Sequence, residues 1–131
     1  MNMPVNLSPR ILIVDDDPLV RQTLRDLLAD QGFTSFGVSN GPAALHACAT
    51  QPIDLTLLDF ALSPAMHGIS TLKHIRQDHP DMKVIIITGC PHPVLIGMAY
   101  QLNARQCLIK PIDPQVLIQA VHRELGSSSP A

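Results

Sequence analysis

Leu55-Thr56-Leu57-Leu58-Asp59 is a largely apolar stretch that ends on a carboxylate. A short apolar run of this kind is typical of a strand that is buried on both faces of a parallel sheet. A carboxylate at the end of such a strand is costly unless it is solvated, paired or bound to a cation. Asp59 therefore either caps a turn or belongs to a functional site.

A second strand of the same character lies near the start of the chain. The apolar run at positions 11–14 is followed directly by Asp15, Asp16 and Asp17. Parallel neighbouring strands place their carboxyl ends at one edge of the sheet. The two strands together would therefore bring several carboxylates to one place.

Turn and capping residues divide the chain into five strands alternating with five helices. Strands are predicted at 10–14, 33–38, 55–59, 83–87 and 106–109. Helices are predicted from Pro18, capped by Asp17 and ended by Gly32, and then at 43–50, 69–78, 93–102 and 114–125. This alternation predicts an α/β fold in which a parallel sheet is covered by helices on both faces.

Composition narrows the class of protein. The chain has 131 residues, of which 46% are hydrophobic and 15% charged, as expected for one compact soluble domain. A net charge of −2 with 3% aromatic residues argues against direct nucleic-acid binding. No stretch approaches the roughly 18 apolar residues of a membrane helix, and the N-terminus lacks signal-peptide features. A cytoplasmic location is expected.

Sulfur and imidazole groups give no sign of a metal site. Cys48, Cys90 and Cys107 are an odd set and are expected to be reduced thiols. The six histidines show no metal-ligand spacing and are interpreted as surface residues.

Four predicted strand ends contribute polar side chains to one edge: Asp15 with Asp16, then Asp59, Thr88 and Lys110. Carboxylates that converge without compensation repel one another, whereas a hard divalent cation such as Mg²⁺ prefers oxygen ligands. A lysine and a hydroxyl suit the oxygens of a phosphoryl group. The pattern favours phosphoryl transfer to an aspartate.

Four motifs, each at a strand end and in this order, resemble the receiver domain of two-component response regulators, the CheY-like superfamily: ILIVDDDP at 11–18, LLD at 57–59, IITG at 86–89 and IKP at 109–111. The likeness covers about residues 10–125. It implies a flavodoxin-like fold with strand order 2-1-3-4-5. Residues 1–9 would then be a lead-in, and residues 126–131 a tail or the start of a linker.

The resemblance also implies roles for individual residues. Asp59 would accept a phosphoryl group from a sensor histidine kinase or a phosphotransfer protein. Asp15, Asp16, Asp59 and the backbone carbonyl of Ala61 would hold Mg²⁺ or Mn²⁺. Thr88 and Lys110 would contact the phosphoryl group, and the bond from Lys110 to Pro111 would be cis.

The implied function is that of a phosphorelay signalling domain and not of an enzyme. Phosphotransfer would be self-catalysed, and autodephosphorylation would be slow. Phosphorylation would switch the conformation and control a downstream partner or output domain, or a homodimer, through the face formed by the fourth helix, fifth strand and fifth helix.

Two positions depart from the family pattern. The loop between Phe60 and Gly68 holds one extra residue, which either lengthens its outer arc or shifts Ala61. Cys107 stands where the family usually carries Tyr or Phe as a conformational lever. Either smaller residues repack there, or the signal travels by another route, such as movement of the fourth helix as a body.

The fourth helix carries more apolar residues than one core-facing stripe requires. Val94, Ile96 and Tyr100 lie outside that stripe. They form either an exposed partner or dimer surface or part of a more fully buried helix.

Two other functions are compatible with parts of the pattern. A degenerate receiver would bind partners without being phosphorylated. A phosphatase of the haloacid-dehalogenase type also uses an aspartyl phosphate, but residues 15–19 lack the last position of its motif, and the chain is too short for a cap domain.

Overall fold

The structure is a computed structural model and describes residues 8–60 and 66–126. Five strands and five helices alternate, and their bounds differ from the predicted ones by up to three residues. The strands are β1 Arg10–Val14, β2 Thr34–Val38, β3 Leu55–Asp59, β4 Val84–Thr88 and β5 Gln106–Ile109. The helices are α1 Pro18–Asp30, α2 Gly41–Thr50, α3 Met66–Asp78, α4 Pro93–Gln101 and α5 Pro114–Leu125.

All strand pairings are parallel, and the strand order is β2-β1-β3-β4-β5. This confirms the predicted flavodoxin-like α/β fold. Val14 pairs with Leu58, Asp59 with Ile87, and Thr88 with Ile109. This register places the carboxyl ends of β1, β3, β4 and β5 side by side.

Two apolar layers enclose the sheet. Alternate residues of β1 point to opposite faces, so that Ile11 and Ile13 pack toward α1 and α5, whereas Leu12 and Val14 pack toward α2, α3 and α4. Every residue of β3 and β4 is buried. These central strands therefore hold their terminal side chains in fixed positions.

The sequence predicts an inward face of α1 formed by Leu19, Val20, Leu24, Leu27 and Leu28, and this prediction is wrong for Leu19. Leu19 is 73% exposed, whereas Leu24 and Leu28 are buried. Leu19 lies in the first turn of α1, where it lines an open cleft beside Pro111 and Pro114. Val20, the next residue, packs against the core, so Leu19 lies on a different side of the same helical turn.

Polar side chains fix the start of four helices. The Asp17 carboxylate accepts a hydrogen bond from the Leu19 N–H at 2.9 Å, which confirms its predicted capping role. Asn40, His92 and Asp113 cap α2, α4 and α5 in the same way. Since all helices begin at the carboxyl edge of the sheet, these caps also order the loops around that edge.

Arg76 joins two loops at the opposite edge of the sheet. Its guanidinium donates hydrogen bonds of 2.8 Å to the carbonyl oxygens of Pro80 and Met82, which precede β4. A further bond of 2.8 Å reaches the carbonyl oxygen of Leu102, directly after α4. Arg76 therefore holds the carboxyl end of α4 against α3.

Glu124 is a buried carboxylate at the end of α5. It accepts hydrogen bonds of 2.7 Å from Arg105 Nε and from Gln106 Nε2. Burial alone raises the pKa of Glu124, but these bonds and the charges of Arg105 and Lys83 outweigh it and hold the pKa below its ordinary value. The carboxylate therefore links α5 to the start of β5.

The histidines are only partly as predicted. Those at 46, 74 and 92 are exposed, and His79 is half-buried. His122 is also half-buried, and its ring packs against Phe33 with the ring centroids 5.3 Å apart. His122, like His79, is therefore only partly exposed, because α5 turns it toward the loop that precedes β2, and the side chain of His67 lies outside the described part of the structure.

Among the described residues, no helix combines the length and apolar character needed to cross a membrane.

Candidate functional site

Three carboxylates meet at the carboxyl edge of the sheet. Asp15 and Asp16 follow β1, and Asp59 is the last residue of β3. Each offers an oxygen within 4.8 Å of those of the other two. Asp15 and Asp59 are each 2% exposed, whereas Asp16 is exposed. The structure thus brings together the three acidic side chains that the sequence predicted at one edge.

Lys110 completes the cluster from the end of β5. Its Nζ lies 3.0 Å from Asp15 Oδ2 and 3.1 Å from Asp59 Oδ2. The peptide bond between Lys110 and Pro111 is cis, as predicted. The Lys110 N–H donates to the Thr88 carbonyl oxygen at 2.8 Å, which ties the lysine to β4.

The charges at this edge do not balance. Partial burial lowers the pKa of Lys110, but its hydrogen bonds and charge interactions with Asp15 and Asp59 outweigh this and raise the pKa above its ordinary value. Lys110 is therefore a permanent cation at neutral pH. One ammonium faces three carboxylates, so the cluster has the excess negative charge and the oxygen donors that a hard divalent cation requires.

Thr88 ends β4 beside the cluster and is 2% exposed. Its Oγ1 accepts a hydrogen bond from the Cys90 N–H at 3.1 Å. A Cβ added to Gly89 would lie 3.8 Å from the Lys110 Cβ, which is an ordinary contact. The space beside Lys110 therefore does not depend on glycine.

One member of the predicted metal set cannot be placed. Ala61 lies outside the described residues, together with residues 62–65 of the loop that holds the extra residue. On either side of this segment, Phe60 is 3% exposed, and Gly68 is buried. A Cβ added to Gly68 would come within 2.9 Å of the Phe60 Cα.

Sequence reasoning missed one residue near the cluster. The half-buried Arg21 in α1 donates a hydrogen bond of 2.8 Å from Nη1 to the backbone carbonyl oxygen of Asp15. The only available signal was a basic residue in the helix that follows the acidic motif. Side-chain contacts to backbone carbonyls leave no pattern in a sequence.

A family model for the response regulator receiver domain matches residues 11–122. The chain is a response regulator receiver domain. This receiver domain is 36% identical over 116 residues to the DNA-binding transcriptional regulator NtrC of Escherichia coli K12, covering 88% of the chain and 24% of NtrC. It therefore spans about a quarter of the length of that relative.

Shorter relatives match along nearly their whole length. The chemotaxis protein CheY of Thermotoga maritima is 26% identical over 118 residues, covering 89% of the chain and 98% of CheY. The crystal structure of a CheY-like receiver domain protein from Methanospirillum hungatei superposes with a TM-score of 0.86 and 26% identity, covering 91% of this chain and 94% of that one.

The receiver domain exposes apolar side chains on α4. Val94 is 63% exposed and Tyr100 48%, whereas Ile96 is half-buried. Ile109 on β5 and Val116 on α5 are each 46% exposed. The structure therefore favours the exposed surface over the more fully buried helix, with Ile96 only partly included.

Cys107 lies in β5, as predicted, and is half-buried against the layer formed by α2, α3 and α4. Burial raises the pKa of its thiol. Among the described residues, Cys107, Cys48 and Cys90 form no disulfide.

Proposed function

We propose that this receiver domain accepts a phosphoryl group on Asp59 from the phosphohistidine of a sensor histidine kinase or phosphotransfer protein. Phosphorylation then controls a downstream partner or output domain. The observation that carries this proposal is the 3.1 Å contact between Lys110 Nζ and Asp59 Oδ2 inside a cluster of carboxylates. We take residues 10–125 as the domain, residues 1–9 as a lead-in and residues 126–131 as a tail or linker. The reaction is placed in the cytoplasm.

The transfer forms one bond and breaks one. A carboxylate oxygen of Asp59 attacks phosphorus as the P–N bond of the phosphohistidine breaks, and the electron pair of that bond leaves with the imidazole. Negative charge is spread over the phosphoryl oxygens during transfer. The Lys110 ammonium, already beside Asp59, is placed to stabilise this charge.

Asp15, Asp16 and Asp59 are the described residues that would hold Mg²⁺ or Mn²⁺, and the Ala61 carbonyl oxygen is included in the proposal. A bound divalent cation neutralises phosphoryl oxygens and acts as a Lewis acid. Two of the carboxylate ligands are held in place before a cation binds. The buried strand end holds Asp59, and the contact with Lys110 holds Asp15.

Thr88 and α4 are proposed as the switch. A phosphoryl group on Asp59 would offer acceptor oxygens to the Thr88 hydroxyl. Since Thr88 also accepts from the Cys90 N–H, a shift of Thr88 would move the loop that leads into α4. The movement of α4 would change the surface that a partner contacts, which is formed by Val94, Ile96 and Tyr100. Cys107 would contribute through packing alone.

The kinase is proposed to approach along the exposed side of α1. A cleft of about 530 Å³ between α1 and the segment after β5 is lined by Leu19, Pro111, Ile112 and Lys110. The 73% exposure of Leu19 gives this cleft an apolar rim beside the cationic end of the site. A phosphodonor that docks there would lie next to Asp59.

Intact mass spectrometry tests the acceptor. The wild type, Asp59→Asn and the control Asp30→Asn, whose side chain is exposed, are incubated with acetyl phosphate with and without Mg²⁺. We expect a magnesium-dependent mass increase of one phosphoryl group in the wild type and in Asp30→Asn, and none in Asp59→Asn. An unmodified wild type, with a histidine kinase as the donor as well, would favour a phosphorylation-independent receiver.

A further inference from the structure

We propose that Arg21 is a positioning residue for the cation site, acting through the peptide that joins Asp15 to Asp16. This inference rests on the proposed function, because it concerns how the carboxylates are prepared for a divalent cation. Arg21 touches none of the reacting groups in this role. It fixes the backbone from which the Asp16 side chain projects.

The contact comes from the first turns of α1. The Arg21 N–H donates to the Asp17 carbonyl oxygen at 3.0 Å as part of the helix. The Arg21 side chain reaches back past this turn, and its Nη1 donates to the Asp15 carbonyl oxygen at 2.8 Å. The helix therefore anchors a long side chain whose far end holds the strand end before it.

Every other hydrogen-bonding group of Asp15 is also held. Its N–H donates to the Val38 carbonyl oxygen at 3.1 Å, and its Oδ1 accepts from the Asp17 N–H at 2.9 Å. Its Oδ2 accepts from Lys110 at 3.0 Å. Arg21 supplies the remaining restraint, on the carbonyl oxygen, and so sets the plane of the peptide that leads to Asp16.

Asp16 depends on this backbone restraint more than its neighbours do. Its side chain is exposed, and within the described part of the chain it makes no hydrogen bond or ion pair. By contrast, Asp15 and Asp59 are buried and paired with Lys110. Among the described residues, the only restraint on the position of the Asp16 side chain is therefore its own backbone.

The absence of a side chain at Gly37 leaves room for the Arg21 side chain. It pairs with Ile13 in the register of β1 and β2, close to the strand end that carries Asp15. A Cβ added to Gly37 would lie 2.9 Å from the Arg21 Cδ and 3.4 Å from its Cβ and Cγ. The requirement for glycine here is one of space, and it is a second observation that links β2 to the same arginine.

The sign of the expected effect separates positioning from simple charge. A guanidinium near a cation site repels the cation, so loss of its charge alone would strengthen Mg²⁺ binding. A residue that only stabilises the fold would leave the affinity unchanged once the protein is folded. Positioning predicts the opposite result, namely weaker binding after the charge is removed.

The test measures Mg²⁺ affinity by NMR titration and calorimetry for the wild type, Arg21→Ala and Arg25→Ala. Arg25 is the matched control, because it is exposed on the same helix. We expect Arg21→Ala to weaken Mg²⁺ binding about 10-fold, as for losses of groups that orient metal ligands, and Arg25→Ala to leave it unchanged. Unchanged or tighter binding by folded Arg21→Ala would overturn the proposal.

Gly37→Ala provides an independent route to the same answer. It should displace the Arg21 side chain and weaken Mg²⁺ binding in the wild-type background, but add little in the Arg21→Ala background, where the side chain no longer crosses this position. Additive effects of the two substitutions would contradict the inference.

Metal-free spectra keep the two proposals distinguishable. We expect the backbone amide signals of Asp16 and Asp17 to shift in metal-free Arg21→Ala and to stay in place in Arg25→Ala. If the wild type showed no response to Mg²⁺, the proposed cation site would fail, and these spectra would still decide whether Arg21 orders the Asp15 to Asp16 peptide. If the Asp16 and Asp17 amide signals did not shift in metal-free Arg21→Ala, the proposed positioning role of Arg21 would be wrong.

Discussion

The Thr88 side-chain oxygen accepts a hydrogen bond from the Cys90 N–H, two residues further along the chain, at a distance of 3.1 Å. The bond joins the end of β4 to the loop that leads into α4. Thr88 is buried at the carboxylate edge, and its hydroxyl oxygen is thus linked to the loop before α4, the helix that carries the exposed Val94 and Tyr100. Because of this contact, a substitution at Thr88 can test whether phosphorylation of Asp59 and the structural change at α4 are separable.

Replacing Thr88 by Ala should uncouple the two events. We expect Thr88→Ala still to gain a phosphoryl group on Asp59, because Asp59 and Lys110 are intact, but to lose the change in hydrogen exchange over residues 93–101 that follows phosphorylation of the wild type. Thr88→Ser keeps the hydroxyl and is the control. Equal exchange responses in Thr88→Ala and the wild type would show that α4 is reached by another route.

Magnesium should stabilise the fold through the carboxylate cluster. A ligand that binds only the folded state at 100 times its Kd adds about 2.7 kcal/mol to the free energy of unfolding. We expect a rise in Tm with MgCl₂ that a matched concentration of NaCl does not reproduce. Calorimetric or optical melting curves measure it directly.

Asp16→Asn should remove this magnesium effect. Because Asp16 is exposed, the substitution should change the metal-free free energy of unfolding by no more than about 0.5 kcal/mol. A full magnesium response in Asp16→Asn would exclude Asp16 as a ligand.

Arg76→Ala should destabilise the domain. It removes three hydrogen bonds of 2.8 Å to carbonyl oxygens around β4 and after α4, and we expect the free energy of unfolding to fall by about 2 to 3 kcal/mol. Urea denaturation measures the loss, and Arg25→Ala serves as an exposed control. A change as small as that of Arg25→Ala would mean that solvent satisfies these carbonyls equally well.

Glu124 should make the free energy of unfolding of the domain depend on pH in the acidic range. Its pKa is lowered in the folded state, so its contribution is present above the ordinary carboxyl pKa and is lost as pH falls through the folded-state pKa. We expect Glu124→Gln to cost about 1 to 2 kcal/mol at pH 7 and progressively less below about pH 4.5.

Denaturation series from pH 3 to pH 8 would compare the wild type, Glu124→Gln and the exposed control Asp30→Asn. A difference between the wild type and Glu124→Gln that stayed constant across this range would mean that the Glu124 carboxylate is not stabilised by its partners.

Periodicity and strand-end chemistry predicted the parallel α/β sheet and the side chains that meet at its edge, whereas the strand order was implied by the resemblance to receiver domains. Short apolar runs identified β1 and β3 because both are buried, and the parallel order then required their terminal acids to meet. The same rule predicted Lys110 at this edge, and the structure shows its contacts with Asp15 and Asp59.

Other features depend on where a helix sits and could not be predicted. Leu19 and Val20 are adjacent apolar residues in the first turn of α1, yet Val20 packs against the core and Leu19 is exposed. Arg21 carries no special spacing, and its contact with the Asp15 carbonyl oxygen joins a helix to a strand end in a way that leaves no pattern in the sequence. The apolar character of adjacent helix residues does not show which of them faces the sheet.

The position of Tyr100 gives the protein a built-in optical reporter. The chain has no tryptophan, and Tyr100 is its single tyrosine, so near-ultraviolet fluorescence from the unlabelled protein arises essentially from one side chain. That side chain is 48% exposed and lies near the carboxyl end of α4, whereas Val94 lies near its amino end. Emission intensity and quenching by iodide therefore follow the environment of α4 in real time, without a dye or an engineered residue.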